Sequence, residues 1–144
     1  MRPLGQVKIQ LIVRGICCLV PGVEGESDNI EIISIVDRFL EHARVFVFHH
    51  SGAEKMFLSS ADLMQRNLNF RIETAFPVYD EDIKNEIMDL LNLQLEDNVK
   101  ARIIDRFDRN EYRRSNSDIP VRAQLETYFH FKRKTEKRGE NPTQ

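Results

Sequence analysis

The stretch RVFVFHHSGAEKMFLS, residues 44–59, predicts two β-strands joined by a turn. Residues 44–48 and 55–59 are rich in the apolar side chains that favour strands, and the segment between them contains serine and glycine. If the two strands are antiparallel, this turn lies at one end of the hairpin. The opposite, open end is therefore the first candidate site, and it gathers His42, Ser59, Ser60 and Asp62.

Two arginines extend this candidate site. Arg71 begins the next predicted strand, residues 70–76, and can lie at the same end of the hairpin. Arg14 follows the first predicted strand, residues 7–13, in which apolar and polar side chains alternate. A plain parallel strand–helix–strand unit would separate Arg14 from His42. A connection that crosses back through residues 16–20 would return both to one edge, and this second arrangement is the one we expect.

Helices are predicted by side-chain spacing at three places. Asp28 and Glu31 have the spacing of a capping box and predict a helix over residues 29–41. Asp80 precedes a second helix, and a third follows Pro120. A further strand is expected at residues 99–104. This order of elements indicates an α/β fold, with α+β as the alternative, in which helices flank a mixed sheet.

The composition is that of an ordinary globular domain. The chain has 144 residues, of which 41% are hydrophobic, so it can build a core of its own. Its formal net charge of −2 provides no strong field of either sign. Non-specific attraction to nucleic acid or to membranes is therefore not expected to be its main function.

The cysteines and histidines exclude a disulfide framework and predict no metal site. Cys17 and Cys18 are adjacent and have no partner elsewhere, so a reducing cytoplasm is the expected compartment, with both thiols buried. His49 and His50 are neighbours whose side chains would point to opposite faces of a strand, so we interpret them as turn residues.

The candidate site contains the groups that bind and move phosphate. Guanidinium groups, here of Arg14 and Arg71, donate paired hydrogen bonds to phosphate oxygens. An imidazole such as that of His42 exchanges a proton near neutral pH and can serve as a general acid or base. The turn at residues 59–62 offers hydroxyl donors to an anion.

Each of these residues also has a plainer structural explanation. The arginines could pair with acidic neighbours, His42 could end the helix predicted at residues 29–41, and residues 59–62 could cap a following helix. Taken singly, these explanations are favoured. Taken in order along the chain, the same residues indicate phosphate chemistry.

Several motifs in this order resemble bacterial polyphosphate kinase. The matching segments are VKIQLIVRGICCLVPG (7–22), SDNI (27–30), SIVDRFLEH (34–42), SSADLMQRN (59–67), RIE (71–73), DNVKAR (97–102) and VRAQ (121–124). The resemblance covers residues 7–131 and is to the C-terminal, second phospholipase-D-like domain of that enzyme. Residues 1–6 form a leader that does not match, and residues 132–144 are a charged tail that we expect to be disordered.

The resemblance implies an activity and a set of roles. The family transfers the terminal phosphate of ATP reversibly to polyphosphate, with Mg²⁺ and through a phosphohistidine. By resemblance, His42 is the second active-site histidine, an acid or base, and Arg14 and Arg71 hold nucleotide or chain phosphates. Ser59, Ser60 and Asp62 belong to the degenerate end of a phospholipase-D-like motif and support the site.

The resemblance also implies partners. These are ATP or ADP, polyphosphate and the remainder of the polyphosphate kinase chain, with no role for nucleic acid. The full enzyme is expected to be a cytoplasmic homo-oligomer that could associate with the membrane. Because the phosphorylated histidine of the family lies in a preceding domain, the isolated chain is expected to be inactive.

Two other functions stay open. The chain could be a non-catalytic module of the same fold that binds phosphate or polyphosphate. A phospholipase-D-like hydrolase is less favoured, because Arg44 occupies the lysine position of a His-x-Lys motif that would start at His42.

Overall fold

The computed structural model describes residues 7–114 and 119–140, with side chains described as far as Lys137. The predicted leader, residues 1–6, lies outside this part of the chain. The strands are β1 (Ile9–Ile12), β2 (Ile30–Ile35), β3 (Val45–Phe48), β4 (Lys55–Ser59), β5 (Ala75–Val78) and β6 (Ala101–Ile104). The α-helices are α1 (Gln65–Phe70), α2 (Glu81–Glu96) and α3 (Ala123–Glu140).

The chain divides into two compact units. Unit 1 comprises residues 1–39 and 90–144, and unit 2 comprises residues 40–89. Each unit has its own three-stranded sheet, in place of the single mixed sheet that we expected. The predicted mixture of strands and helices is confirmed.

Unit 1 is built on a mixed sheet with the strand order β1-β2-β6. β1 runs parallel to β2, and β2 runs antiparallel to β6. One face of this sheet forms a small core with the start of α3, and its buried members are Ile33, Ile35, Ala101 and Ala123. Ile12 and Leu95 pack against this cluster and complete it.

The helix predicted over residues 29–41 is wrong, because residues 30–35 form the central strand β2. This strand has the sequence IEIISI, and β-branched side chains favour a pleated strand over a helix. The turn before it is held by Ser27, whose hydroxyl donates to the carbonyl of Val20 at 2.7 Å and accepts from the amide of Val23 at 3.1 Å. The spacing of Asp28 and Glu31 therefore does not mark a capping box.

A buried carboxylate joins three elements of unit 1. Asp97 follows α2 and is 0% exposed. Its Oδ1 accepts hydrogen bonds from the amides that lead into β6, those of Val99, Lys100 and Ala101, at 2.9, 2.6 and 2.9 Å. Its Oδ2 accepts from the amide of Ala123 at the start of α3, at 2.7 Å. Four backbone donors thus satisfy a charge that would otherwise be costly to bury.

A second carboxylate ties the end of β2 to α3. Asp37 has a side chain only 3% exposed, and it receives two hydrogen bonds from Arg122, at 2.7 and 2.6 Å. The hydrogen bonds from Arg122 lower the pKa of Asp37, against the effect of burial. Gln124 adds two hydrogen bonds to Phe39. Its Oε1 accepts from the amide of Phe39 at 3.0 Å, and its Nε2 donates to the carbonyl of Phe39 at 2.8 Å.

Two further predictions concern the C-terminal half of unit 1. The strand expected at residues 99–104 is confirmed as β6, and Arg102 forms an isolated antiparallel bridge with Tyr112. The tail differs from our expectation of disorder, since α3 continues through Lys132 to Glu140. Residues 141–144 lie outside the described part of the chain.

Unit 2 is an antiparallel sheet with the strand order β3-β4-β5. The predicted hairpin of β3 and β4 is confirmed, with Val45 opposite Leu58 and Phe48 opposite Lys55. The connecting turn includes Ser51 and Gly52, which have φ values of 56° and 92°. Positive φ at Gly52 carries no Cβ penalty, so the turn closes without strain there.

Residues after the hairpin depart from the predicted pattern. The strand expected at residues 70–76 begins later, as β5, because α1 extends to Phe70. Pro77 lies inside β5, which is tolerated because β5 is an edge strand. The predicted cap of the next helix is confirmed, since Asp80 Oδ1 accepts from the amide of Ile83 at 3.0 Å.

Candidate functional site

The open end of the hairpin gathers the polar groups of unit 2. The amide of Ser59 donates to the carbonyl of Arg44 at 2.9 Å, so the antiparallel pairing continues to this end. His42 lies just before β3, and its Nε2 is 3.6 Å from Oδ1 of Asp62. The antiparallel register thus brings together a ring and a carboxylate that are twenty positions apart in sequence.

Arg44 contacts both members of this pair. Its Nε donates to Asp62 Oδ1 at 2.9 Å, and its Nη2 lies 2.5 Å from His42 Nε2. Its Nη1 donates to the backbone carbonyl of His42 at 3.3 Å. The Arg44 side chain is 21% exposed, compared with 57% for His42. Arg44 is therefore the partly buried centre of this group.

The charge of Asp62 is stabilised by its surroundings. The hydrogen bond from Arg44 lowers the pKa of Asp62, and the charges of Arg44, His42 and Arg66 act in the same direction against desolvation. Asp62 is therefore a carboxylate at neutral pH, and Arg44 balances its charge.

Ser59 and Ser60 are used within the unit. Ser59 Oγ donates to the carbonyl of Thr74 at 3.2 Å and accepts from the amide of Ala61 at 3.0 Å. Ser60 Oγ donates to Glu73 Oε2 and accepts from the amide of Thr74 at 3.1 Å. Both hydroxyl protons are thus already donated, and the two serines join the end of β4 to the segment that precedes β5.

Arg71 is held by a second carboxylate. Its Nε lies 3.6 Å from Oε1 of Glu73, whose side chain is only 15% exposed. The same Oε1 accepts from Nδ2 of the buried Asn67 at 2.8 Å. Hydrogen bonds from Ser60 and Asn67 lower the pKa of Glu73, and the charges of Arg71 and Arg44 act in the same direction. Arg71 itself is 59% exposed, so most of its guanidinium faces solvent.

The plainer structural explanations, namely the end of a helix, a helix cap and an acidic partner, hold for some of these residues and fail for others. Residues 7–41 contain no helix, so His42 does not end one there, and α1 has Met64 as its N-cap without a side-chain hydrogen bond. Residues 59–62 therefore do not cap that helix. For Arg71 the plainer explanation is realised in part, because it pairs with Glu73 while staying exposed.

Arg14 lies in unit 1, just after β1, and is exposed. It makes no hydrogen bond or ion pair to any described residue. β2 runs parallel to β1, so the connection between them crosses back as expected, but it leads to a strand in place of the predicted helix, and pairing within unit 1 does not place His42, which lies in unit 2. A shared site for the two residues therefore stays a prediction.

Three residues that matter to the geometry were missed as site residues in the sequence. In the sequence, Arg44 stands out only because it occupies a lysine position, and Asn67 and Glu73 stand out only as members of matching motifs. The spacing of His42 and Arg44 could have pointed to a contact, since residues two apart on an extended segment share a face. Asn67 is brought to Glu73 by α1, a short helix at Gln65–Phe70 where the sequence predicts one helical turn over residues 61–67.

The structure also bears on metal binding, on the two cysteines and on membrane-spanning helices. Within the described ranges, no three His, Cys, Asp or Glu side chains are grouped so that they could hold a metal ion. Cys18 is exposed and Cys17 only partly buried, which corrects the expectation that both thiols lie in the core. The described helices include none with the length and apolar character that a membrane span requires.

Comparison with known proteins identifies the family. The family model described as polyphosphate kinase C-terminal domain 2 matches residues 4–124. The chain is 54% identical over 126 residues to a polyphosphate kinase of Vibrio cholerae, covering 88% of this chain and 18% of that one. It is 52% identical over 124 residues to a polyphosphate kinase of Halalkalibacterium halodurans, covering 85% of this chain and 17% of that one.

A solved structure supports the same assignment. The crystal structure of polyphosphate kinase from Porphyromonas gingivalis matches with a TM-score of 0.86 and 50% sequence identity, over 91% of this chain and 20% of that one. The fold class predicted from the sequence is thereby confirmed. The chain spans less than a fifth of the length of the curated relatives quoted above. Since the family model, these relatives and the structure agree, the chain belongs to the polyphosphate kinase family and matches the second C-terminal domain of that family.

Proposed function

We propose that this chain supplies phosphate-binding groups to the catalytic site of a polyphosphate kinase, which transfers the terminal phosphate of ATP reversibly to polyphosphate. The observation that carries the proposal is a pair of polar groups in unit 2. His42 lies beside Arg44 and Asp62, and the exposed Arg71 lies beside Glu73. Phosphoryl transfer depends on positioning and on neutralising the phosphate charge, and these groups are suited to both.

Arg71 is the proposed ligand of a phosphate group in unit 2. Glu73 lies beside its Nε, and the other guanidinium nitrogens make no hydrogen bond or ion pair with the described residues. A guanidinium in this state can donate two parallel hydrogen bonds to the oxygens of a nucleotide or of a polyphosphate chain. Glu73, Asn67 and Ser60 would keep it oriented.

Arg14 is proposed to bind a phosphate of the nucleotide or of the polyphosphate chain. Its exposure and its lack of an acidic partner among the described residues leave its full charge available to an anion. Ser59 and Ser60 are assigned supporting roles, because their hydroxyls bond within the chain.

The nucleophile is proposed to lie outside this chain. The family resemblance assigns the phosphorylated histidine to a preceding domain, so this chain would need the remainder of the polyphosphate kinase polypeptide to turn over ATP. The residues of the described segments do not fit a Mg²⁺ site, since their candidate carboxylates, Asp62 and Glu73, are already paired with other side chains. No step of the proposal is therefore assigned to a metal held by this chain.

A chimaera tests the proposal directly. Residues 7–131 of this chain would replace the matching segment of the Vibrio cholerae polyphosphate kinase, and polyphosphate synthesis from ATP would be measured. We expect activity that is lost in His42→Ala and Arg71→Gln but kept in Arg106→Gln, an exposed arginine of the transplanted segment with no role in the proposed site. Retained activity in His42→Ala and Arg71→Gln would contradict the proposal.

The alternative function is a non-catalytic phosphate- or polyphosphate-binding module. It is favoured by the two exposed arginines, Arg14 and Arg71, which would serve binding without any chemistry. An inactive chimaera, together with tripolyphosphate binding by the 144-residue chain that depends on Arg71, would support the module over the kinase.

A further inference from the structure

The contact between Arg44 and His42 determines which ring nitrogen of His42 carries a proton. Nη2 of Arg44 lies 2.5 Å from Nε2 of His42. A guanidinium has only donors and stays charged in proteins, so Nε2 must present its lone pair while this contact holds. The ring proton of a neutral imidazole then lies on Nδ1.

The surroundings of Arg44 keep it in this position. Its Nε donates to Asp62 and its Nη1 to the backbone carbonyl of His42, so three of its donors are directed at this small group. Asp62 Oδ1 is 3.6 Å from His42 Nε2, beyond hydrogen-bond distance, so the carboxylate does not compete for a proton on that nitrogen. Asp62 therefore accepts a hydrogen bond from Arg44 and none from the ring.

Nδ1 is left available to a ligand. His42 is 57% exposed, and its only side-chain partners among the described residues are at Nε2. A neutral imidazole with its proton on Nδ1 donates a hydrogen bond well. It does not give that proton up as an acid, because an imidazolate anion would result.

We propose that His42 acts as a neutral hydrogen-bond donor through Nδ1 to a phosphate oxygen, and that Arg44 is the positioning residue that imposes this tautomer. The proposal rests on the function proposed above and narrows it, because a general acid or base role for His42 is replaced by stabilisation of phosphoryl charge. No proton is transferred to or from His42 in this role.

The tautomer can be measured without any turnover. We would record long-range ¹⁵N–¹H spectra of the imidazole rings in the 144-residue chain at about pH 8, above the ordinary histidine pKa of about 6.5. His42 is assigned by the loss of its signals in His42→Gln. The expected result is an unprotonated Nε2 and a protonated Nδ1 at His42.

Variants separate positioning from folding. Arg44→Met should shift His42 towards protonation of Nε2, and Arg44→Lys, which retains a donor, should restore part of the original tautomer. Arg66→Met is the matched control, since Arg66 is an exposed arginine of the same unit that makes no contact with the ring. Unchanged signals from the three other histidines, His49, His50 and His130, would show that the fold persists.

Inorganic tripolyphosphate provides the second readout. Its addition should shift the Nδ1 resonance of His42 in the wild-type chain and in Arg66→Met. A wild-type ring protonated on Nε2, or a tautomer unchanged in Arg44→Met, would overturn the inference whatever tripolyphosphate does. The expected tautomer without any shift at Nδ1 would also overturn it, because the ring would then not face phosphate. Failure of the proposed kinase function would give a different result from failure of this inference. In that case, tripolyphosphate binding would not depend on Arg71.

Discussion

At the scale of single residues, Arg71 and Glu73 combine restraint with exposure. Glu73 is mostly buried and is bonded by Asn67 and Ser60, so its position is fixed before it meets Arg71. Arg71 loses little side-chain freedom on binding an anion, because its Nε is already held near Glu73. Glu73 would thus orient the Arg71 guanidinium for an anion while leaving most of the side chain exposed.

Replacement of Arg71 tests this directly. Arg71→Gln in the 144-residue chain should weaken binding of tripolyphosphate by about tenfold or more, the effect of losing one charge-assisted pair of hydrogen bonds. Arg71→Lys should recover only part of the affinity, since an ammonium group does not bind bidentately. Isothermal titration calorimetry would provide the measurement, with Arg133→Gln as the control. Equal affinities of wild type and Arg71→Gln would exclude Arg71 from the site.

At the scale of elements, Asp97 connects α2, β6 and α3 by four backbone hydrogen bonds. The amides of Ala101 and Ala123 belong to residues that are 0% and 1% exposed. If the carboxylate is removed, these donors lose their partner and cannot reach water without opening the core. The start of β6 and the start of α3 thus depend on one side chain.

Substitutions at Asp97 should lower the free energy of unfolding more when they remove more of its acceptor oxygens. Asp97→Ala should lower the free energy of unfolding by roughly 3 kcal/mol or more, because several buried donors lose their acceptor. Asp97→Asn keeps one acceptor oxygen and should cost less. Urea unfolding monitored by circular dichroism would measure both, and an unchanged midpoint for Asp97→Ala would contradict this role.

The pairing of Asp37 with Arg122 predicts a pH dependence of unit 1. The pKa of Asp37 is lowered in the folded state, so the folded form binds its proton less readily than the unfolded form. The stabilisation is therefore present above the ordinary pKa of about 4 and is lost as pH falls through the lowered value. Asp37→Asn should be less stable than wild type at neutral pH, and this difference should shrink in acid. Thermal unfolding at a series of pH values would measure it, and a difference independent of pH would contradict it.

At the scale of the whole molecule, the chain is a small part of its relatives' length, and its proposed site contains no nucleophile of its own. The purified 144-residue chain should therefore turn over little or no ATP while binding tripolyphosphate. Incorporation of labelled phosphate from ATP into polyphosphate would measure turnover. Sustained synthesis by the chain alone would contradict the assignment of the phosphorylated histidine to another domain.

The sequence by itself determined the family, the hairpin, the cap at Asp80 and the grouping of His42 with Asp62. These follow from local spacing, turn residues and ordered motifs, which act over short distances along the chain. Local spacing did not determine residues 30–35, because a run of isoleucines suits a buried strand as well as a helix, and pairing with β1 and β6 decides between them.

Only the tertiary structure decided which polar groups satisfy one another. Arg44 meets His42 Nε2, and the hydroxyls of Ser59 and Ser60 bond within unit 2, because the register of β3 with β4 and the path into β5 bring distant side chains within hydrogen-bond distance. The sequence indicates which residues can handle phosphate. The folded chain decides which of their atoms remain free to do so, since a donor already bonded within the protein is no longer available to a ligand.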